Sequence, residues 1–226
     1  NTGIDMMHLV IEKAKNSNGV ELLALNGEDT FNIESDNFNV LFTMHRRENF
    51  GSNLKNIIRA IQTISKLDPN VKIYIPVHPN PNICSIIQNY FINSSNVFLL
   101  KPVAYEKFIL LMSKVKVIFT DSGGIQEEAP SFGIPVFVMR ENTERSEGVE
   151  YGVSNLVGTN TKNIVAAFKS FSQDQSFSHK NCNIKNPFGM YKASKKKIND
   201  EKKRNTVKTG AKVKFPMGDS IDMGNP

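Results

Sequence analysis

The chain contains no tryptophan, two cysteines and no apolar run close to the length of a membrane-spanning helix. Because such a helix needs ~20 consecutive apolar residues, the sequence predicts no membrane segment. Cys84 and Cys182 lack metal-ligand spacing, so we expect reduced thiols rather than a disulfide or a catalytic pair. The first residues run directly into a helical pattern rather than a secretory leader. These absences favour a cytoplasmic protein without a metal centre.

The excess of positive charge is confined to one end of the chain. The sequence has 28 Lys and Arg and 22 Asp and Glu. Ten of the basic residues and four of the acidic residues follow residue 191, so the charges of residues 1–191 sum to zero. A basic protein is a candidate for nucleic-acid binding, but the body of this chain gives that hypothesis no support. Residues 192–226 show no hydrophobic periodicity and predict a basic tail, disordered or weakly docked. A polyanion-binding role for this tail is an alternative.

Residues 1–191 alternate short apolar runs with amphipathic segments, a pattern typical of an α/β protein with a doubly wound, Rossmann-like parallel sheet. No G-x-G-x-x-G follows the first strand, so we expect no nicotinamide or flavin cofactor. Thr2 is the predicted cap of the first helix. The predicted helices are 6–15, 53–67, 81–91, 105–112, 124–131 and 162–171, and the predicted strands are 39–44, 71–75, 97–100, 115–119, 135–139 and an edge strand at 155–157.

The stretch 120–130, TDSGGIQEEAP, is the most informative segment of the chain. It follows an apolar run and contains an Asp or Ser suited to capping, two glycines and then helix formers, which predicts a strand, a tight turn and a helix N-terminus. Glycines allow close approach to the backbone, and helical N–H groups attract phosphate. Glu127 and Glu128 lie a turn further on, where they could accept hydrogen bonds from a sugar. The alternative is an ordinary α/β turn.

Three further loops carry polar residues at the ends of predicted strands, where ligands collect in such sheets. His45 and Arg46 follow the first strand and suit proton transfer and phosphate binding, or they form a solvated basic turn. His78 is either catalytic or a structural residue in a proline-rich loop. Arg145 suits a diphosphate, or it pairs with Glu141 or Glu144. Phe108 is either a core residue or a platform for a base.

Together these loops resemble those of the non-hydrolysing UDP-N-acetylglucosamine 2-epimerases of bacteria and archaea. The resemblance covers residues 1–191 and rests on four strings in this order: FTMHRRENFG, PVHPNP, TDSGGIQEEAPSFGIPV and MRENTERSEGVE. It implies a fold of two Rossmann-like domains, as in the GT-B glycosyltransferases, with the active site between them. The chain is similar to the C-terminal, UDP-binding domain of that fold.

The resemblance implies interconversion of UDP-GlcNAc and UDP-ManNAc without cofactor or metal, by elimination of UDP to a 2-acetamidoglucal and its re-addition, for cell-surface polysaccharide synthesis. It also implies a homodimer when the enzyme is complete. By position it assigns His45 to catalysis; Ser122, Gly123 and Gly124 to the phosphates; Glu128 to the ribose; Arg145 to the diphosphate; Phe108 to the uracil; and Arg46 and His78 to a second, activating UDP-GlcNAc.

Several departures from the family pattern affect these expectations. Ser146 occupies a position where the family usually has proline, and the stretch 186–194 lacks the usual Asp-Gly, with no motif match beyond Ser194. The family's main acid/base carboxylates lie on its N-terminal domain, so we expect a fragment that does not epimerise alone. A glycosyltransferase donor domain, a hydrolysing epimerase and a non-catalytic nucleotide-sugar module are the alternatives.

Overall fold

The computed structural model describes residues 1–16, 24–25, 29–30, 33, 36–77, 79–173 and 185–189. The predicted basic tail, Cys182 and His78 therefore lie outside the described residues. Within the described parts, no helix has the length and apolar character needed to cross a membrane.

The described elements alternate as the periodicity predicts. The helices are α1 (Thr2–Asn16), α2 (Ser52–Ser65), α3 (Pro81–Phe91), α4 (Tyr105–Met112), α5 (Gly123–Glu128), α6 (Ser146–Glu150) and α7 (Thr161–Gln173). The strands are β1 (Ala24–Leu25), β2 (Asp29–Thr30), β3 (Phe38–Thr43), β4 (Val71–Pro76), β5 (Val97–Leu100), β6 (Val117–Thr120), β7 (Val136–Val138) and β8 (Ser154–Leu156). Short 3-10 turns occur at Arg47–Asn49 and Ala129–Phe132.

The described residues form one parallel six-stranded sheet of order β5-β4-β3-β6-β7-β8, and β1 and β2 form a separate antiparallel pair. From β3 the chain runs outward through β4 to β5, and then returns to place β6 on the other side of β3. The strand order therefore reverses between β3 and β6. At such a switch point the loops leave in opposite directions and open a crevice at the carboxyl edge of the sheet.

The sheet is buried on both faces, which explains why its strands are apolar runs rather than alternating patterns. Val40 and Phe42 point into a cluster with helices α2, α3 and α7, whereas Leu41 points into a cluster with α1 and α4. The rings of Phe42 and Phe119 stack at 4.6 Å between centroids across β3 and β6. This aromatic contact adds to the backbone pairing that holds the two central strands side by side.

The predicted fold class is confirmed, and most of the differences lie at element ends. Thr2, predicted to cap α1, is its first residue. The predicted helix 124–131 is in fact α5 followed by a separate 3-10 turn, because Pro130 has no N–H for the α-helical hydrogen bond. The turn ends at Gly133, whose φ of 69° favours glycine. The pair β1 and β2 was not predicted, since strands of two residues carry no periodic signal.

Candidate functional site

A buried carboxylate joins the two loops at the switch point. Asp121, directly after β6, accepts hydrogen bonds from the backbone N–H of His45 at 3.1 Å to both oxygens and from that of Arg46 at 3.0 Å. The side-chain amide of Asn49 is the third donor, at 2.8 Å. Asp121 is fully buried, so these donors replace the water that the carboxylate has lost. Asp121 therefore fixes the backbone position of His45 at the start of the loop after β3.

The strand ends beneath this carboxylate are also linked to each other. The hydroxyls of Thr43 on β3 and Thr120 on β6 are 2.6 Å apart and hydrogen-bonded. Thr120 Oγ1 also accepts from the N–H of Ser122 at 3.0 Å. Ser122 precedes α5 without making a side-chain cap, and Asp121 is turned toward the β3 loop, so neither residue caps α5 as the sequence had suggested.

A cleft of about 440 Å³ opens at this edge of the sheet, and five of the residues singled out in the sequence line it. The rest of its lining is mainly apolar, including Pro76, Val77 and Val103. An apolar cleft with a few polar groups is the usual form of a small-molecule site. The five residues are His45, Phe108, Ser122, Gly124 and Glu128.

Gly123 and Arg145 lie beside this cleft rather than in its lining. A Cβ on Gly123 would lie 3.1 Å from Glu144 Oε1 and 3.7 Å from Arg145 Nη2, so the glycine lets both side chains cross the start of α5. Arg145 Nε donates to Glu127 Oε1 at 2.5 Å, and Nη1 lies 4.0 Å from Glu144. The guanidinium is thus held next to Gly123 by a partner that the sequence had not paired with it.

Glu127 is itself fixed from two directions. Asn1 Nδ2 donates to Glu127 Oε2 at 2.6 Å, and Asn186 Nδ2 donates to the Glu127 carbonyl at 2.7 Å. Residues from both ends of the described chain therefore hold the residue that orients Arg145. The sequence suggested a sugar contact for Glu127, and no local pattern indicates an ion pair across 18 residues.

Glu144 is shared between two arginines. Its carboxylate accepts from Arg46 Nη2 at 2.8 Å and from Arg140 Nη1 at 2.6 Å, and Arg140 Nε also contacts Glu48 at 3.0 Å. The Glu144 backbone N–H and the Arg140 guanidinium lower the pKa of the Glu144 carboxyl to about 2. Arg46 also donates through Nε to the carbonyl of Asp121 at 3.1 Å. The Arg46 side chain therefore bridges the loop after β6 and Glu144. His78, the other residue assigned to a second UDP-GlcNAc, lies outside the described residues.

Glu128 has a hydrogen-bond partner that the sequence motifs did not indicate. Tyr105, the first residue of α4, donates its hydroxyl to Glu128 Oε1 at 2.9 Å, and both residues line the cleft. Burial raises the pKa of the Glu128 carboxyl, and the hydrogen bond from Tyr105 opposes that rise. Tyr105 and Phe108 are three residues apart on α4, a spacing that places both on one helix face. This spacing was the signal that could have identified Tyr105.

Comparison with known proteins identifies the family of the chain. Residues 1–200 match the family described as UDP-N-acetylglucosamine 2-epimerase. The chain belongs to this family. It is 42% identical over 200 residues to the UDP-N-acetylglucosamine 2-epimerase of Campylobacter jejuni, covering 88% of this chain and 52% of that protein. The match extends past Ser194, where the motif comparison had placed its end.

Solved structures of family members have the same fold. The Neisseria meningitidis UDP-GlcNAc 2-epimerase, solved bound to UDP-GlcNAc, is 38% identical with a TM-score of 0.80, covering 88% of this chain and 53% of that one. An S. aureus protein solved with UDP is 33% identical with a TM-score of 0.78, covering 92% and 54%. A glycosyltransferase matches at 11% identity and a TM-score of 0.51, which shows a shared fold alone. The chain spans about half the length of the epimerases that it matches.

We expect Asp121→Asn to lower the free energy of unfolding by about 1–3 kcal/mol, because an amide NH2 would face the N–H donors that the carboxylate now accepts. Urea unfolding measures this change. Asp68→Asn is the control, since Asp68 lies in an exposed turn where its Oδ1 accepts one hydrogen bond, which asparagine can also accept. Equal stability of the two variants would contradict the assigned role of Asp121.

Glu144→Gln should reduce stability in a pH-dependent manner. The folded pKa of about 2 lies below the ordinary 4.5, so the contribution is present above pH 4.5 and is lost as pH falls toward 2. Because the side chain is 42% exposed, solvent screening limits the effect at pH 7 to about 1 kcal/mol or less. Urea unfolding of wild type and variant should show the difference narrowing below pH 4.5. The exposed Glu150→Gln is the control, and a constant difference for Glu144→Gln would refute the assignment.

Proposed function

We propose that this chain is the UDP-binding half of a non-hydrolysing epimerase that interconverts UDP-GlcNAc and UDP-ManNAc. The observation that carries the proposal is the cleft at the switch point, which gathers His45, Phe108, Ser122, Gly124 and Glu128. Support also comes from the N. meningitidis and S. aureus relatives, whose structures hold UDP-GlcNAc and UDP. Residues 1–191 would form the nucleotide-binding domain of a cytoplasmic enzyme, and residues 192–226 its basic tail.

The cleft offers separate groups for each part of a nucleoside diphosphate. Phe108 presents a half-buried ring suited to stacking on uracil, and the Glu128 carboxylate can accept from ribose hydroxyls. Ser122 and Gly124 bring the start of α5 to the phosphates, with Gly123 giving Arg145 its close approach. With Arg145 Nε bound to Glu127, the guanidinium is fixed before ligand arrives, which lowers the entropy cost of binding the diphosphate.

His45 is the proposed catalytic residue of this half. Its backbone is anchored by Asp121 and its exposed side chain lines the cleft, where an imidazole can stabilise the leaving diphosphate or move a proton. Elimination of UDP breaks the anomeric C–O bond, so negative charge develops on the diphosphate and any donor aimed there lowers the barrier. Arg46 and His78 remain the proposed contacts of a second UDP-GlcNAc, which would compete with Glu144 for Arg46.

The proposal includes a second half that supplies the acid/base carboxylates. The chain covers 52% of the C. jejuni relative, so the complete enzyme, as a homodimer, would close an N-terminal domain over this cleft. A site that lacks some catalytic groups retains binding and loses most of its rate. We therefore expect this chain to bind UDP and to be inactive alone.

Arg145→Ala should weaken UDP binding by about 1–3 kcal/mol, the range for losing a charge-assisted hydrogen bond. Isothermal titration calorimetry of the 226-residue chain with UDP measures this loss. Arg59→Ala, which removes an exposed arginine of α2, should leave the affinity unchanged. A folded wild-type chain with no saturable UDP binding would overturn the proposed function, and equal losses in both variants would indicate non-specific charge attraction.

A chimera tests the reaction itself. The N-terminal half of the C. jejuni relative joined ahead of residue 1 should convert UDP-GlcNAc to UDP-ManNAc, whereas the 226-residue chain should not. Product analysis by NMR distinguishes the alternatives, and His45→Ala in the chimera should abolish most of the rate. Release of free ManNAc would indicate a hydrolysing enzyme, and transfer of the sugar to an acceptor would indicate a glycosyltransferase. A folded chimera that binds UDP but turns nothing over would support a non-catalytic module.

A further inference from the structure

Tyr105 holds one oxygen of the carboxylate that faces the nucleoside end of the cleft. Its hydroxyl lies 2.9 Å from Glu128 Oε1 and 3.4 Å from the Gly3 carbonyl. The hydroxyl has one proton, and the shorter bond to a carboxylate is the stronger of the two. The Gly3 backbone closes the same side, because a Cβ there would lie 3.3 Å from Glu128 Oε1. The Glu128 carboxylate is thus fixed before any ligand binds.

A fixed carboxylate binds a ligand at lower entropy cost than a mobile one. A glutamate side chain loses rotamer freedom when it is ordered, and preordering removes that cost from the binding step. An ionised carboxylate has about four acceptor positions, so the hydrogen bond from Tyr105 leaves capacity for two neighbouring hydroxyls. A ribose presents such a pair at its 2′ and 3′ carbons.

Helix α4 connects this carboxylate to the base end of the cleft. Tyr105 and Phe108 lie one helical turn apart, and both line the cleft with Glu128. The same helix therefore carries the ring proposed for uracil and the hydroxyl that holds Glu128. The diphosphate groups depend instead on Arg145 and its partner Glu127. The nucleoside and diphosphate parts of the cleft are supported by different contacts.

We propose that Tyr105 is a positioning residue that holds Glu128 against the ribose hydroxyls, and that it thereby sets a preference of the cleft for ribonucleotides over nucleotides lacking those hydroxyls. The inference rests on the proposed UDP site and assigns its sugar selectivity to one hydrogen bond. A purely structural Tyr105, serving only to join α1, α4 and α5, predicts no dependence on the ligand's hydroxyls.

The test compares Tyr105→Phe with wild type by calorimetry, using UDP and 2′,3′-dideoxyUDP. We expect Tyr105→Phe to weaken UDP binding about fivefold, the effect of one net hydrogen bond, and to leave dideoxyUDP binding within about twofold. In a Glu128→Ala background the Tyr105→Phe change should add no further loss, because the two residues act on one contact. Tyr90→Phe is the matched control, since Tyr90 is 43% exposed against 40% for Tyr105.

The outcomes separate this inference from the function on which it rests. If Tyr105→Phe weakens both nucleotides equally, or leaves UDP binding unchanged, the positioning role is wrong and the UDP site stands. If wild type binds UDP and dideoxyUDP with the same affinity, Glu128 does not read the ribose and the inference is overturned. If folded wild type binds neither nucleotide, the proposed function fails and this inference fails with it.

Discussion

The geometry of the cleft depends on the burial of one carboxylate between two strands. Asp121 is fully buried, and an ionised group in that position is very costly unless donors replace its hydration. Those donors are backbone N–H groups of the loop after β3, together with the amide of Asn49. Satisfying Asp121 therefore dictates the path of the loop that carries His45 and Arg46. Stacking of Phe42 on Phe119 below and the Thr43–Thr120 hydrogen bond keep both strand ends in register for this contact.

A connected series of hydrogen bonds and ion pairs extends outward from Asp121. Arg46 bonds the Asp121 carbonyl and Glu144, Glu144 bonds Arg140, and Arg140 bonds Glu48. Arg145 and Glu127 form a neighbouring pair that approaches the series at Glu144. The named side chains balance in sign, so the arginines are neutralised before an anion arrives. A diphosphate would add negative charge to this balance and would share Arg145 with Glu127.

The sequence predicts the sheet and five of the residues that line the cleft, but not how they are held. Helices 81–91 and 105–112 and the strand 97–100 agree to the residue, because strong periodicity and flanking prolines mark their ends. Parallel strands share one carboxyl edge, so residues after β3 and β6 were expected to meet. The sequence did not predict three contacts, because each joins residues that are distant in sequence and depends on where their side chains point. These contacts are Asp121–His45, Glu127–Arg145 and Tyr105–Glu128. Local sequence patterns predict which residues lie at the carboxyl edge of the sheet, whereas tertiary packing determines which of their atoms are in contact.

The two ends of the cleft differ in how strongly they depend on the rest of the protein. Tyr105 and Phe108 lie on α4 and Glu128 lies on α5, two helices packed on the sheet, so the proposed nucleoside end is formed by this chain's own core. The proposed diphosphate end depends on Glu127, which Asn1 and Asn186 hold from both ends of the described chain. The Asn1 amide binds one oxygen of the Glu127 carboxylate, and Arg145 binds the other. The proposed nucleoside contacts therefore depend on the packing of α4 and α5 with α1, whereas the proposed diphosphate contact through Arg145 also depends on Asn1 and Asn186.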